Sequence, residues 1–270
     1  MSGQTIEFPP ANLARTFALM DGKLMLQLLP GAPYSASDPA QFQTMGISLQ
    51  RQRGVHAIAS DRRVDFDTLP GVLAYTPAGI DVFSESADGG EYLLARWTKE
   101  FASGETGAPT QRVEISGHAR ALDMGRQIRR LMFSPQPDLL KLEECVLGFI
   151  DLHPARPEPS QRTPRFAAQR VLEKISDEFG QALTLTNLAA SEGKSELCFL
   201  RDFKRAVGMT PHAYLVETRL QAARRMIQQT RMPFADIALE CGFAHQSHMG
   251  SAFQAALGIS PGQYRQLCRG

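Results

Sequence analysis

The chain has 270 residues, of which 43% are hydrophobic and 21% are charged, with a formal net charge of +1. This length predicts two domains, and the composition excludes wholesale disorder and collagen-like or coiled-coil structure. We find no apolar run of about 18 residues and no signal-peptide pattern, so we expect no membrane span or secretion. The four cysteines are far apart and form no C-x-x-C pair, which argues against a zinc knot and favours a cytoplasmic location.

From about Phe17 to Ile115 the sequence predicts many short β-strands. Short apolar runs alternate with turn residues such as Leu29-Pro30-Gly31 and Asp88-Gly89-Gly90. Closely spaced short strands are typical of a β-sandwich or a small barrel. The predicted strands include Leu24–Leu29, Gly54–Ser60, Gly71–Tyr75, Asp81–Ser84 and Tyr92–Trp97.

Two helices are predicted next, over His118–Phe133 and Pro137–Leu152, because the hydrophobic period changes there. One face of each is apolar, formed by Leu122, Gly125, Ile128 and Met132 and by Leu139, Leu142, Cys145, Val146 and Phe149. These faces could pack on the sheet or form a dimer interface, and we favour packing within the domain.

Residues 153–164 are predicted to be a linker, because four prolines in this stretch block both helix and strand pairing. The predicted domains are therefore 1–152 and 165–270. Residues 1–160 contain 15 basic and 19 acidic residues, a net charge of −4, whereas residues 161–270 contain 14 and 9, a net charge of +5. This asymmetry suggests that the C-terminal domain is the part that meets a polyanion.

The helical C-terminal domain contains an internal repeat. Six residues, Ala189, Gly193, Phe203, Gly208, Pro211 and Tyr214, recur 49 or 50 positions later as Ala238, Gly242, Phe253, Gly258, Pro261 and Tyr264. Each copy has the features of a helix-turn-helix: a small residue in the first helix, a turn glycine, and a glycine after the second helix. We predict Thr184 and Ser195 as helix N-caps and Pro233 at a helix start. A helical bundle of another function is the alternative.

These residues resemble the DNA-binding region of the AraC/XylS family of bacterial transcription regulators, over about 166–266. The strongest match is Gly242-Phe243-x3-Ser247-x-Met249-x3-Phe253-x4-Gly258-x2-Pro261-x2-Tyr264-Arg265, with Met249 where the family usually has an aromatic residue. Leu188-Ala189, Leu200-Arg201-Asp202-Phe203-Lys204, Gly208 and Arg219-Leu220-x2-Ala223 also fit.

The resemblance implies two helix-turn-helix units joined by a helix over about Pro211–Gln229, with double-stranded promoter DNA as the partner. The recognition helices would be about Ser195–Val207 and Gln246–Leu257. The residues expected to face bases are Glu196, Leu197, Leu200, Arg201, Gln246, Ser247, Gly250 and Ser251. Arg201 suits guanine and Gln246 suits adenine, whereas Lys204 and Arg205 suit phosphate.

The second recognition helix departs from the family pattern. Gly250 has no side chain, Ser251 is shorter than the usual residue, and His245 stands where Asp, Asn or Ser often caps the helix. We therefore expect this helix to read fewer bases. The aromatic and Met side chains of both helices are expected in the core, at Phe199, Phe203, Met249 and Phe253.

The resemblance also implies a fold class for the whole chain: two-domain α+β, with a cupin-like (jelly-roll) N-terminal domain and an all-α C-terminal domain. The N-terminal domain would bind a small-molecule effector, whose occupancy shifts the DNA affinity. Candidate effector contacts are Arg51, Arg53, His56, Tyr75 and Arg96, although exposed strand positions or local ion pairs are the more ordinary interpretation of each. A homodimer is a further expectation, as is contact with RNA polymerase if the protein is an activator.

Other classes of site have weaker support. Gly193-Lys194-Ser195 lacks the first glycine of a phosphate-binding loop, since residue 188 is Leu. The chain has no His-x-His, which disfavours a cupin metalloenzyme. We expect no metal, no other cofactor and no enzyme activity. Two alternatives stay open: a DNA-binding structural factor of low specificity, and a cupin-like enzyme with a helical accessory domain.

Overall fold

The computed structural model describes residues 14–38, 40–98, 101, 109–152 and 165–269, with the side chains described from residue 169 onward in the last range. These residues divide into two compact units. The N-terminal unit contains the strands and the first two helices, and the C-terminal unit contains the remaining helices. The chain therefore has the predicted two-domain α+β architecture. The predicted linker lies outside the described residues.

The described strands of the N-terminal unit form two antiparallel sheets. One has the order β1-β2-β9-β4-β7-β10 and the other the order β3-β8-β5-β6. The strand bounds are β1 Arg15–Leu19, β2 Leu24–Leu29, β3 Tyr34–Asp38, β4 Gln43–Ser48, β5 Gln52–Ile58, β6 Val64–Thr68, β7 Leu73–Thr76, β8 Val82–Ser86, β9 Tyr92–Trp97 and β10 Val113–Ile115. The predicted bounds of β2 and β9 are confirmed, and the other predicted strands are shifted by a few residues.

Two helices follow the strands, α1 at Ala119–Phe133 and α2 at Leu139–Ile150. Helix α1 packs on the larger sheet, and Gly125 makes this approach possible. A Cβ at Gly125 would lie 2.9 Å from Ile47 and 3.0 Å from Leu49. The prediction that the apolar face of the first helix packs within its own domain is therefore confirmed.

A buried ion pair also connects α1 to the sheet. Arg129 donates to Glu91 at 2.6 Å, and the side chains are 1% and 0% exposed. Glu91 directly precedes β9, so the pair joins the C-terminal half of the helix to the start of a central strand. Separating these two groups would leave an uncompensated charge in the protein interior.

The C-terminal unit consists, in the part described, of seven helices. Their bounds are α3 Arg165–Glu178, α4 Leu185–Ser191, α5 Glu196–Val207, α6 Pro211–Gln229, α7 Phe234–Glu240, α8 Gln246–Leu257 and α9 Pro261–Leu267. The predicted caps are present, since the side chains of Thr184 and Ser195 accept hydrogen bonds from the first turns of α4 and α5. Pro233 stands at the N-cap of α7.

Candidate functional site

Helices α4 and α5 form one helix-turn-helix, and α7 and α8 form a second with the same backbone geometry. The turn glycines Gly193 and Gly242 have φ angles of +63° and +75°. In both turns the residue after the glycine donates its N–H to the carbonyl of the matching alanine, from Lys194 to Ala189 at 3.1 Å and from Phe243 to Ala238 at 2.8 Å. The repeat seen in the sequence is therefore a repeat of backbone hydrogen bonding.

The buried faces of the two second helices match as well. Helix α5 buries Phe199, Phe203 and Val207, and α8 buries Met249, Phe253 and Leu257. All four core positions predicted for these helices are thus buried. Both helices end at a glycine in the left-handed region, Gly208 and Gly258, whose N–H bonds back to the last turn.

The opposite face of α5 is exposed and basic. Glu196, Leu197, Arg201, Lys204 and Arg205 are exposed, and Leu200 is half-buried. This spacing places them along one side of the helix. Among the described residues, neither Arg201 nor Lys204 forms an ion pair with a carboxylate. Such a surface offers both guanidinium and ammonium donors to a polyanion.

An ion pair fixes the turn in front of this surface. Lys194 donates to Asp202 at 2.6 Å, and Arg205 lies 3.8 Å from the other oxygen of the same carboxylate. The hydrogen bond raises the pKa of Lys194 and lowers the pKa of Asp202. Asp202 thereby holds Lys194 in place at the turn.

The exposed face of α8 has no acidic or basic side chain among Gln246, Ser247, Gly250 and Ser251. The hydroxyl of Ser251 donates to the carbonyl of Ser247 at 3.1 Å, within the helix. Space around Gly250 is open, since a Cβ there would meet nothing within 4 Å. Among these four residues, Gln246 has the longest side chain.

His245 is the N-cap of α8. Its Nδ1 accepts a hydrogen bond from the backbone N–H of His248 at 3.1 Å. The imidazole thus performs the capping role that a shorter polar residue performs at other helices of this unit.

Residues outside the recognition helices fix the two helix-turn-helix motifs relative to each other. Arg219 on α6 donates to the carbonyls of Phe179 and Gln181 at 2.8 and 2.9 Å. Gly242 lies against the same segment, because a Cβ there would be 2.7 Å from the Phe179 oxygen. In the last helix the Tyr264 hydroxyl accepts hydrogen bonds from Arg224 at 3.2 Å and Gln228 at 2.5 Å.

A family described as "Helix-turn-helix domain" matches residues 188–267, which contain both units. Two relatives are the HTH-type transcriptional activator RhaR of Klebsiella pneumoniae and the transcriptional activator NphR of a Rhodococcus species. The first is 27% identical over 64% of this chain, and the second is 29% identical over 93%. The chain spans 60% and 62% of the length of these relatives. A similar solved structure is the C-terminal domain of AraT, a response regulator from Geobacillus stearothermophilus, with 30% identity, a TM-score of 0.36, and coverage of 37% of this chain and 84% of that one.

Residues 188–267 of the C-terminal unit are a helix-turn-helix domain of the AraC type, as the sequence motif indicated. Within this AraC-type domain, the structure places the eight residues predicted to face bases on the exposed sides of α5 and α8. The sequence analysis did not predict two contacts, the hydrogen bonds of Arg219 to the Phe179 and Gln181 carbonyls and the N-cap made by His245. The unusual residue at position 245 could have indicated the second of them.

The N-terminal unit contains a cavity of about 110 Å³ between its two sheets. Two of the predicted effector contacts, His56 and Arg96, line the cavity. Three others do not: Arg51 pairs with Asp67 at 2.5 Å, Arg53 is exposed, and Tyr75 is buried with its hydroxyl on Gln43.

Further cavity residues are ones that the sequence analysis did not name as candidates. Tyr34 bonds to Gln52 at 3.2 Å and to Ser84 at 3.0 Å, and all three residues line the cavity. Arg112, which precedes β10, donates to Thr76 at 2.5 Å. In a half-buried strand every second residue faces inward, which is the signal that could have identified them.

Within the described residues, no helix is long and apolar enough to cross a membrane. The same part of the chain contains no group of three or more His, Cys, Asp or Glu side chains that could hold a metal ion.

Proposed function

We propose that the protein is a cytoplasmic, sequence-specific transcription regulator rather than an enzyme, and that both helix-turn-helix units bind one promoter segment. The observation that carries this proposal is the repeated geometry, in which two helices of 12 residues each present an exposed side on a matched scaffold. Helices presented in this way fit the major groove of duplex DNA.

The two recognition helices contribute unequally in this proposal. Helix α5 supplies Arg201 for a guanine edge, with Lys204 and Arg205 on phosphates. Helix α8 supplies Gln246 for an adenine edge, while Ser251 is bonded within its own helix. We expect the half of the binding site read by α5 to carry most of the sequence information.

The first test is selection of genomic DNA fragments by the purified full chain at near-physiological salt. We expect a motif of two short boxes about one helical turn apart, with the second box less well defined. Arg201→Ala should lower affinity for that motif by roughly 1–3 kcal/mol and relax one position of the stronger box. Arg225→Ala is the matched control, because Arg225 is exposed on α6 and lies on neither recognition helix.

The uncharged face of α8 also favours a second candidate, a DNA-binding structural factor of low specificity. For that function the selection would enrich no motif, and binding would weaken steeply with salt for every sequence. The comparison of specific with non-specific affinity separates the two candidates.

The cavity of the N-terminal unit supports control by a small-molecule effector. Its mixed polar and apolar lining and its place between two sheets suit such a ligand. Exposed leucines of α2, Leu139, Leu140 and Leu147, support the proposed homodimer. Contact with RNA polymerase belongs to the proposal only for an activator.

A further inference from the structure

Four charged side chains line the cavity, and they form two ion pairs. Arg96 donates to Asp38, and also to Gln27. Arg112 donates to Glu114 at 2.8 Å. Since all four charged residues are lining residues, the two positive and the two negative charges cancel within the cavity.

The remaining titratable lining groups add no charge near pH 7. His56 stacks on Phe66 with ring centroids 5.3 Å apart, and burial lowers the pKa of its imidazole. Burial raises the pKa of Tyr34 and of Tyr92, so both phenols keep their protons. An ion that enters this cavity would lose its water and find no net charge of opposite sign.

Two buried polar groups of the lining, the Ser48 hydroxyl and the Arg96 Nε, have no hydrogen bond among the described residues. The Nε of Arg96 is buried without a hydrogen bond among the described residues, while the two terminal nitrogens bind Gln27 and Asp38. A buried donor without an acceptor is costly, and a neutral oxygen on a ligand would satisfy it without disturbing the pair with Asp38.

The lining also limits the size and shape of a ligand. A cavity of about 150 Å³ accommodates benzene, so 110 Å³ suits roughly four to six non-hydrogen atoms. Arg96, Thr44 and Thr76 are opposite one another on β9, β4 and β7 and form a polar row. Aliphatic side chains, including Leu29, Val72, Val82 and Leu94, provide the apolar part of the lining.

We propose that the cavity takes an uncharged molecule of about four to six non-hydrogen atoms, with an aliphatic body and an acceptor oxygen that binds Arg96. This proposal rests on the proposed function, because it treats the cavity as the effector site, and it adds the chemical class of the effector.

Three isosteric probes test the charge preference: isobutyramide, isobutyrate and isobutyramidinium. Each is titrated into the full chain at pH 7, with binding followed by saturation-transfer NMR. We expect the amide to bind at least about 10-fold more tightly than either ion, with a millimolar Kd that suits so few atoms. Ala74→Leu should abolish this binding by filling the cavity, whereas Ala235→Leu, at an exposed position of α7, should not change it.

A second variant tests the charge balance itself. Glu114→Gln leaves Arg112 without its carboxylate, so isobutyrate should bind about 5-fold more tightly while isobutyramide changes little. Asp61→Asn is the matched control, because Asp61 is exposed and does not line the cavity. The side chain of Glu114 is 40% exposed, so its substitution is compatible with folding.

The proposal is overturned if an ion binds wild type as tightly as the amide, if no probe binds, or if Glu114→Gln leaves isobutyrate binding unchanged. DNA selection with the same protein separates this failure from failure of the proposed function. Recovery of a sequence motif alongside any of these results would overturn only the ligand class. Absence of a motif would overturn the proposed function.

Discussion

Gly242→Ala should destabilise the C-terminal unit more than Gly193→Ala, although both glycines occupy the same place in the repeat. Both have a positive φ, so an alanine at either position costs about 1 kcal/mol of backbone strain. At Gly193 the added Cβ would meet nothing within 4 Å. At Gly242 it would lie 2.7 Å from the Phe179 oxygen and 3.0 Å from the Arg219 Nε that binds it.

The second substitution therefore also disrupts a hydrogen bond to a charged group, worth about 1.5–3 kcal/mol. We expect losses in unfolding free energy of about 1 kcal/mol for Gly193→Ala and about 3 kcal/mol for Gly242→Ala.

Urea unfolding measures this difference in the full chain with two probes. Circular dichroism at 222 nm follows the helices, which are mostly in the C-terminal unit. Fluorescence follows Trp97, the one tryptophan of the sequence, which is buried in β9 of the N-terminal unit. The variants should shift the dichroism transition and leave the fluorescence transition in place. Equal shifts for the two alanine variants would refute the close approach at Gly242.

Two further predictions concern buried polar groups. Tyr264→Phe removes the acceptor for two side chains of α6, so we expect a loss of about 1–3 kcal/mol in the dichroism transition, and a loss below about 0.5 kcal/mol would contradict the hydrogen bonds. Burial lowers the pKa values of His56 and His118 in the folded state, so unfolding takes up protons below the unfolded value of about 6.5. The urea concentration at the midpoint of the fluorescence transition should therefore decrease as the pH is lowered from 7.5 to 5.5. His56→Gln should make this decrease smaller, and an identical decrease in the variant would exclude this role for His56.

The C-terminal unit could be predicted in detail because its signals are local. Helix caps, turn glycines and the period of the apolar residues each act within a few positions of the chain. The predicted linking helix Pro211–Gln229 and the recognition helix Gln246–Leu257 have the bounds that the structure gives. The predicted positions of the base-facing residues stay predictions until DNA is bound.

The cavity could not be predicted to the same extent, because its lining depends on which strands pair. His56 and Arg96 were among the candidates, whereas Tyr34, Asp38 and Arg112 were not. These residues come together only through sheet orders such as β3-β8-β5, in which neighbours in space are far apart in sequence. Arg51 was a candidate by residue type alone, and its pairing with Asp67 follows from the register of β5 with β6.

The buried pair of Glu91 and Arg129 joins a central strand directly to helix α1. Strand β9 carries three cavity-lining residues, Tyr92, Leu94 and Arg96, directly after Glu91. Breaking a buried ion pair costs about 3–5 kcal/mol. A small displacement of β9 and α1 together would leave the pair intact. A cavity occupant that shifted β9 would therefore also shift α1. The pair thus connects the inside of the sandwich directly to the helix packed on its outside.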